Sequence, residues 1–321
     1  MNYFITGGAG FIGSSLADEL AKDSQNYVTV YDNMSTGYEE FLFGLRKKEN
    51  VKIIVGDLLD EKLLTESIKG NDFVFHLAAN ADVRFGLQHP RKDLEQNTIA
   101  TYNVLEAMRL NDVSKIAFSS TGSVYGETSV IPTPEDCPFP IQTSFYASSK
   151  LAGEALISTY CEGFGFTGHI FRFVSILGER YTHGHVFDFY KQLMQNPNEL
   201  KVLGNGKQRK SYLYIKDCIS AMLTVIQREK SNISIYNLGT DEYCDVNQSI
   251  GWICEYLGLN PKLVYSGGER GWVGDIPFIF LDCSKLKSLG WKADMSIKDA
   301  VLKTVEFIEK NQWVYDRESI L

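Results

Sequence analysis

Several features that would decide the class of this protein at once are missing from its sequence. No apolar run approaches the roughly 20 residues that a bilayer-spanning helix needs; stretches such as Asp72-Phe-Val-Phe-His-Leu-Ala-Ala79 fall far short. The six cysteines (Cys137, Cys161, Cys218, Cys244, Cys254, Cys283) include no Cys-x-x-Cys pair. They therefore indicate neither a zinc site nor a disulfide framework, and are expected as buried thiols in a reducing compartment. There is no internal repeat, low-complexity tract or linker rich in Pro, Gly or Ser, which argues against solenoids and disorder. Met1 leads straight into a strand-like run without a basic n-region or cleavage site, so a cytoplasmic protein is expected. The net charge is −8 with Lys and Arg scattered along the chain, whereas polynucleotide binders carry a basic stripe. Neither nucleic acid nor membrane is an expected partner.

What is present is a chain of 321 residues, 44% of them hydrophobic, long enough to bury a large core. Short β-branched runs alternate with helix-period segments in the first half. Strands are expected at Tyr3–Thr6, Tyr27–Tyr31, Val51–Val55, Phe73–Leu77, Lys115–Ser119 and His169–Arg172. Helices are expected near Phe11–Lys22, Glu61–Ile68, Leu94–Leu110 and Phe145–Phe164. That alternation predicts an α/β fold, a doubly wound parallel sheet of Rossmann type covered on both faces. After Arg172 the pattern loosens into a smaller α/β cap. Its expected strands are Lys201–Leu203, Ile235–Leu238 and Leu263–Tyr265, and its expected helices lie near Val186–Gln195, Lys216–Arg228, Gln248–Leu257 and Ile297–Lys310. In the last helix Val301, Leu302, Val305 and Ile308 share one face. The implied division is 1–178 with a returning segment of about 212–242, against a cap of 179–211 and 243–321.

The first strand runs into Thr6-Gly-Gly-Ala-Gly-Phe-Ile-Gly13 and then an amphipathic helix. Glycine permits the tight turn, lets backbone approach a pyrophosphate, and lets the helix sit against the sheet. The free amides and positive end of the helix then hold the phosphates. A glycine cluster alone could be an ordinary turn. This one follows the first strand, opens a helix and precedes Asp32 by about twenty residues, as a dinucleotide site requires. Asp32 ends the second strand, where a carboxylate accepts hydrogen bonds from ribose hydroxyls and repels a 2′-phosphate. The cofactor read from it is NAD rather than NADP. Asp57 and His76-Leu-Ala-Ala79 also lie at carboxyl ends of strands, where ligands bind in open α/β sheets. Asp57 is either an adenine contact or a helix N-cap.

Beyond the fifth strand come Ser120-Thr121-Gly-Ser-Val-Tyr-Gly126 and Phe145-Tyr146-Ala-Ser-Ser-Lys150. Tyr146 and Lys150 are four apart, so on a helix they share a face. A phenol of pKa about 10 is a poor base at neutral pH. A nearby ammonium and a nicotinamide cation would both favour the phenolate. Tyr146 then takes the proton of an alcohol as hydride leaves, Thr121 orients the same oxygen, and Lys150 also bonds the nicotinamide ribose.

With these residues in place, the chain resembles the extended short-chain dehydrogenase/reductase family, in particular its NAD-dependent sugar-nucleotide epimerases and dehydratases. The resemblance covers nearly the whole length. It rests on Thr6–Gly13, Tyr31-Asp-Asn33 with Ser35-Thr-Gly37, Gly56-Asp-Leu58, His76–Ala79, Ser119–Gly126, Tyr146–Lys150, Tyr236-Asn-Leu-Gly239 and Arg270 with Gly274-Asp275. It implies a nucleoside-diphosphate sugar as substrate and a homodimer paired through the helices at Leu94–Leu110 and Phe145–Phe164. It also implies cofactor contacts from Gly7, Gly10, Phe11, Ile12, Gly13, Asp32, Asn33, Ser35, Thr36, Gly37, Asp57, Leu58, Leu77, Ala78, Ala79, Asn97, Ser119, Tyr146 and Lys150. Substrate contacts are implied for Arg84, Thr121, Ser123, Ser175, Arg180, His185, Val186, Arg209 and Arg270, with Arg84 toward the sugar and Arg270 toward the diphosphate.

Within that family the 4,6-dehydratases carry Asp-Glu after the threonine, and the decarboxylating members keep a glutamate. Here the pair is Gly122-Ser123, which disfavours dehydration and decarboxylation and leaves oxidation at C4. Two departures from the 4-epimerase pattern concern the phosphates: Ser175 replaces an asparagine, and Lys210 stands in place of an arginine. Arg209 beside it could substitute, although adjacent strand side chains point opposite ways. His183 and His185 could be a metal pair, a hinge or surface loop, or a substrate contact; no third ligand is evident, and no metal is expected. The leading expectation is a redox-neutral 4-epimerase acting on a UDP- or GDP-linked hexose or heptose. Its rivals are a net 4-dehydrogenase that releases the keto sugar, as on GDP-heptose in polysaccharide pathways, and an NAD-binding regulator without turnover.

Overall fold

The structure is a computed structural model describing residues 1–80, 85–139, 141–272 and 274–316. In chain order the first elements are β1 (Asn2–Thr6), α1 (Phe11–Leu20), β2 (Tyr27–Asp32), β3 (Val51–Val55), α2 (Glu61–Ile68), β4 (Phe73–His76), α3 (Pro90–Asp93), α4 (Ala100–Leu110), β5 (Lys115–Thr121), α5 (Phe145–Phe164) and β6 (Thr167–Phe173). There follow β7 (Ser175–Leu177), α6 (His185–Gln195), β8 (Glu199–Val202), β9 (Arg209–Lys210), β10 (Tyr212–Tyr214), α7 (Ile215–Arg228), β11 (Ile233–Leu238) and β12 (Cys244–Asp245). The chain continues through α8 (Val246–Leu257), β13 (Lys262–Tyr265), β14 (Phe278–Ile279), α9 (Ser284–Ser288), α10 (Ile297–Lys310) and α11 (Trp313–Asp316).

Two compact units emerge. The first comprises Met1–Thr128, Glu135–Phe173 and Met222–Asn237. Its seven-stranded sheet is ordered β11-β6-β5-β4-β1-β2-β3, and the pairs from β6 to β3 are parallel. The strand order reverses between β1 and β4, which opens a crevice at their carboxyl ends. Parallel strands are covered on both faces, so they are continuous apolar runs rather than alternating ones. β4 is buried throughout, and so is β5 after its first residue.

Helix α5 carries both Tyr146 and Lys150. Ser144 caps it by accepting from the Ala147 N–H, and Gly165 ends it in the left-handed region at φ 69°. Its buried positions include Ala147, Lys150, Gly153, Glu154, Ile157 and Cys161, a stripe at helical spacing that faces the sheet. Two of those six are charged, which is unusual for a seated face. Close approach is secured by two glycines. A Cβ on Gly153 would lie 2.8 Å from the Phe118 ring, and one on Gly168 2.8 Å from Ile157 and 2.9 Å from Cys161.

The second unit comprises Ser129–Pro134, Val174–Ala221 and the described part of Leu238–Leu321. It holds the parallel pair β10-β7, the sheet β12-β9-β14 and the pair β13-β8. The face expected on α10 is buried at Val301, Val305 and Ile308. The division falls at residue 173/174 rather than 178, because β7 pairs with β10 in register Ser175↔Tyr212 to Leu177↔Tyr214. The returning segment is correspondingly shorter than 212–242. Residues 129–134 also belong here: Thr133 donates to the Phe280 carbonyl at 2.9 Å and accepts from the Asp282 N–H at 2.9 Å. The helix expected over Leu94–Leu110 begins at Pro90 and passes through a π-helical stretch, Leu94–Ile99, before α4. Among the described residues no helix is long and apolar enough to cross a membrane. Five cysteines are buried, Cys254 is half-buried, and all six are free thiols.

The seating of α5 is directly testable. Gly153→Ala should destabilise the protein by about 1–3 kcal/mol, because the added methyl has only the rigid Phe118 ring to displace. Denaturant unfolding of both proteins checks this, and an unchanged midpoint would show that the interface is looser than described.

Candidate active site

The glycine turn lies at the switch point. The Gly7 N–H donates to the Tyr31 carbonyl at 2.9 Å, and the Gly10 N–H to Gly7 at 3.1 Å. Gly7 has φ 68°, and a Cβ there would sit 2.7 Å from the Ala78 nitrogen; one on Gly13 would sit 2.1 Å from the Gly7 oxygen. Gly10 is the N-cap of α1 and no side chain caps that end. The backbone of Phe11, Ile12 and Gly13 therefore presents the positive helix end to the crevice, as a diphosphate requires.

Asp32 ends β2 and is held against this turn: it accepts from the Ala9 N–H at 2.9 Å and the Met34 N–H at 2.8 Å. Gly37 packs here too, where a Cβ would lie 2.7 Å from that of Ala9. Asn33 donates to Asp57 at 2.9 Å and accepts from the Ser35 N–H at 3.0 Å, with Ser35 and Thr36 exposed. Asp57 also accepts from the Leu59 N–H at 2.9 Å. It is not the N-cap of α2, since Asp60 fills that role by accepting from Leu63. Leu58 is buried, and its carbonyl accepts from Asn103. These residues fit a cradle for an adenosine diphosphate moiety: uncapped amides for phosphate, a fixed carboxylate for ribose hydroxyls, and close approaches that a Cβ would close.

Opposite this turn, the β4 end is organised by a buried histidine. His76 bonds Thr6 at 2.8 Å through Nδ1 and Thr101 at 2.9 Å through Nε2. Thr6 in turn accepts from the Ala78 N–H at 3.2 Å, and the Leu77 N–H donates to the Thr6 carbonyl at 3.2 Å. Leu77, Ala78 and Ala79 are thus fixed, partly exposed, along the crevice. Asn97 is buried: its side-chain Oδ1 accepts from the Asn80 N–H at 2.7 Å and its Nδ2 donates to the Ser149 hydroxyl at 2.9 Å. It ties the β4 loop to α5, and the π-helical stretch that carries it is the local irregularity that turns it there. Asp93 is buried as well, accepting from Asn80 at 2.9 Å and Asn97 at 3.2 Å.

Thr121 is the last residue of β5, two residues beyond the expected strand end at Ser119, and its oxygen accepts from the Ser123 N–H at 3.1 Å. Lys150 is buried on α5, its ammonium donating to the Ser119 carbonyl at 2.6 Å and lying 4.7 Å from the Phe118 ring centre. Ser119 donates to the His76 carbonyl at 3.2 Å. Tyr146 lies one turn earlier on α5. Burial pulls the Lys150 ammonium down to about 7, with Glu154 and Asp93 opposing. The phenol of Tyr146 moves the other way from the sequence expectation. Burial and then the Asp93 carboxylate raise its pKa. The ammonium is engaged by a strand carbonyl, and burial and Asp93 favour the protonated phenol.

The second unit carries most of the expected substrate residues. Ser175 is exposed at the start of β7. Arg180 is half-buried with φ 74°, and the Val186 side chain is wholly buried. His185 opens α6; its Nε2 bonds Ser249 at 2.9 Å and its ring lies 4.8 Å from that of Tyr212. Burial first, then Lys210, pushes its pKa down to about 3, so it is a neutral, inward-facing imidazole and not a surface loop residue. His183 instead stacks on Tyr181 at 6.1 Å. Among the described residues no three His, Cys, Asp or Glu side chains gather as metal ligands. Lys210 donates to Asp275 at 2.9 Å and to the Ile276 carbonyl, while Arg270 donates to the Asp275 carbonyl at 3.2 Å. Arg209 stacks 3.9 Å over Phe278, exposed, on the opposite face of its strand from Lys210. Arg84 lies outside the described residues.

Comparison with known proteins accords with this geometry. The model of the NAD dependent epimerase/dehydratase family matches residues 3–239. A putative UDP-glucose 4-epimerase of Methanocaldococcus jannaschii is 32% identical, covering 96% of this chain and 98% of its own. Among solved structures, a UDP-galactose 4-epimerase is 36% identical with TM-score 0.87, covering 98% of this chain and 100% of its own. A UDP-glucuronic acid 4-epimerase from Bacillus cereus, in complex with UDP-glucuronic acid and NAD, is 26% identical with TM-score 0.89, covering 97% and 99%.

The buried histidine of the crevice has a thermodynamic signature. Burial, assisted by Lys150, lowers the pKa of His76 from 6.5 to about 3. Between those values the unfolded chain binds a proton that the folded chain excludes, so stability falls as pH falls. The slope from this residue is at most about 1.4 kcal/mol per pH unit. His76→Gln should flatten the pH dependence of unfolding between pH 6.5 and 4 relative to the parent. Parallel curves would mean that His76 is protonated in the fold.

Proposed function

The chain belongs to the NAD dependent epimerase/dehydratase family, and on that premise we propose that it is a redox-neutral 4-epimerase of a nucleoside-diphosphate hexose or heptose. The observation that carries this reading is the end of β5. Thr121 is followed by Gly122 and Ser123, where Ser123 offers a backbone N–H and no carboxylate. Elimination of water needs an acid and a base at the sugar, and this turn holds neither. What remains is removal and return of hydrogen at a carbinol carbon. The names of similar proteins, which include 4-epimerases of UDP-glucose, UDP-galactose and UDP-glucuronic acid, support the same reading.

NAD, when bound, supplies the acceptor and later the donor of the C4 hydride. The chain handles the proton. Tyr146 Oη takes it from the C4 hydroxyl and gives it back, while Thr121 Oγ1 orients that oxygen. Burial and Asp93 disfavour the phenolate, and a cationic nicotinamide, when bound, would favour it. Lys150, whose pKa burial pulls down to about 7, is the proposed partner of the nicotinamide ribose. Gly7, Gly10, Gly13 and Asp32 hold the dinucleotide. The Lys210, Arg270 and Asp275 cluster and His185 of the second unit are the proposed substrate contacts, with a UDP- or GDP-linked diphosphate as the anion. A homodimer is proposed through the exposed apolar side chains of α4 and α5, among them Tyr102, Leu110, Phe145 and Phe164. Light scattering at micromolar concentration should give twice the chain mass, and a monomer would rule this out.

The decisive experiment denatures the purified protein, identifies the nucleotide released, and incubates native enzyme with UDP- and GDP-sugars while following 340 nm. Retained NAD(H), an epimerised sugar and no net absorbance change are expected. A lasting absorbance rise with a trappable keto sugar would instead make the protein a net 4-dehydrogenase. Tyr146→Phe should lower turnover by about 10³-fold, at the scale of general acid–base catalysis, while leaving NAD bound. Turnover that survives would remove Tyr146 from the mechanism.

A further inference from the structure

Beneath the proposed catalytic residues runs a buried polar network that the reaction does not use directly. Glu154 and Arg172 form an ion pair at 2.7 Å with both side chains at least 95% buried (exposures 5% and 1%). The pair is bidentate: Arg172 Nε donates to one Glu154 oxygen at 3.0 Å and Nη2 to the other at 2.7 Å. Glu154 accepts in addition from the Ser120 hydroxyl. On the other side, Arg172 Nη1 donates to the Tyr125 hydroxyl at 2.8 Å and the Glu135 carbonyl at 3.0 Å. The guanidinium also lies 4.8 Å over the Tyr125 ring and 4.9 Å over that of Phe139. Tyr125 donates to Asn237 at 2.8 Å, and Glu135 accepts from the Asn237 N–H at 2.9 Å.

Removing both charges from water is expensive, and apolar side chains of similar volume often stabilise a fold as well or better. Stability is therefore a weak reason for this arrangement. Its placement gives a stronger one. Glu154 is one turn beyond Lys150 on α5, and Ser120 directly precedes Thr121 on β5. Lys150 holds the Ser119 carbonyl at 2.6 Å, so two successive turns of α5 grip two successive residues of β5. Tyr125 anchors the far end of the turn that Thr121 opens.

We propose that Glu154 and Arg172 are positioning residues, whose pair, bonded to Ser120 and Tyr125, sets the register of α5 against β5 and so places Lys150 relative to Thr121. This rests on the roles assigned above to Lys150 and Thr121.

The test separates placement from stability. The double variant Glu154→Leu/Arg172→Met, in the intact protein, should melt near the parent and bind NAD within about threefold, since apolar replacement of a buried pair is tolerated. Its first-turnover reduction of NAD by a UDP- or GDP-sugar should fall at least about 30-fold, with KM little changed, because sub-ångström misplacement is costly in the transition state. A double variant that melts near the parent and reacts within threefold of it would overturn the proposal. If that variant does not fold, Ser120→Ala and Tyr125→Phe, each lacking one hydroxyl, decide. A roughly tenfold lower rate at unchanged KM and NAD affinity supports positioning, and an unchanged rate overturns it. If no UDP- or GDP-sugar drives reduction of NAD by the parent, the functional reading fails separately. Crystal structures then decide: a Lys150–Ser119 contact kept in the double variant refutes positioning, and a lengthened one supports it.

Discussion

A lysine ammonium buried against a strand carbonyl is the constraint on which the rest of the first unit depends. Lys150 can reach Ser119 only if α5 lies close on β5 and its neighbour β6, and that is secured by Gly153 against Phe118 of β5 and by Gly168 of β6 against Ile157 and Cys161. The same close seating puts Glu154 over Ser120 and leaves Thr121 as the terminal strand residue. A looser interface would admit water, and the depressed ammonium, the raised phenol and the neutral histidine would all relax toward ordinary values together.

The electrostatics of this layer are balanced rather than screened. Two cations, Lys150 and Arg172, and two carboxylates, Asp93 and Glu154, are buried in one unit. Glu154 is matched bidentately to Arg172, which fixes geometry as well as charge. Asp93 is tied to the amides of Asn80 and Asn97, and it opposes ionisation of Tyr146 and favours that of Lys150. His76, which bridges Thr6 and Thr101, stays neutral beside Lys150 and adds no charge. Burial and Asp93 together favour the protonated form of Tyr146. This is a coherent arrangement for an enzyme whose reactive group is carried by its cofactor.

Local signals make much of this legible in the sequence. The glycine turn, Asp32, and the Tyr146–Lys150 spacing each lie within one strand–helix unit, and each stands at the strand or helix end that the pattern implies. Strands of two or three residues, such as β7, β9, β10, β12 and β14, are too short to show a period, so the domain boundary shifts once β7 pairs with β10. The segment 129–134 joins the second unit through two backbone bonds that no side-chain pattern encodes. The direction of the Tyr146 shift is hidden for a related reason. Spacing puts an ammonium nearby, but burial, the Ser119 carbonyl that engages that ammonium and the non-local Asp93 decide the outcome. Glu154 is within reach of sequence reasoning, four residues beyond Lys150 on the same face; its partner Arg172 is visible only as a strand residue.

The second unit is where this chain departs from the pattern it resembles, and the departures have a common physical character. An arginine at position 210 would present a planar fork that grips two phosphate oxygens at once. Lys210 is a point charge with three donors, two of which are directed to Asp275 and Ile276. It therefore shares its charge with a buried carboxylate. Strand alternation turns Arg209 onto the exposed aromatic face of Tyr243 and Phe278. Arg270 is left as the fork-bearing cation at the Asp275 loop. Beside Lys210 a neutral His185, fixed by Ser249 and Tyr212, offers a polar but uncharged neighbour. A point charge tied to a buried carboxylate is a weaker and less directional partner for any anion than an arginine fork would be.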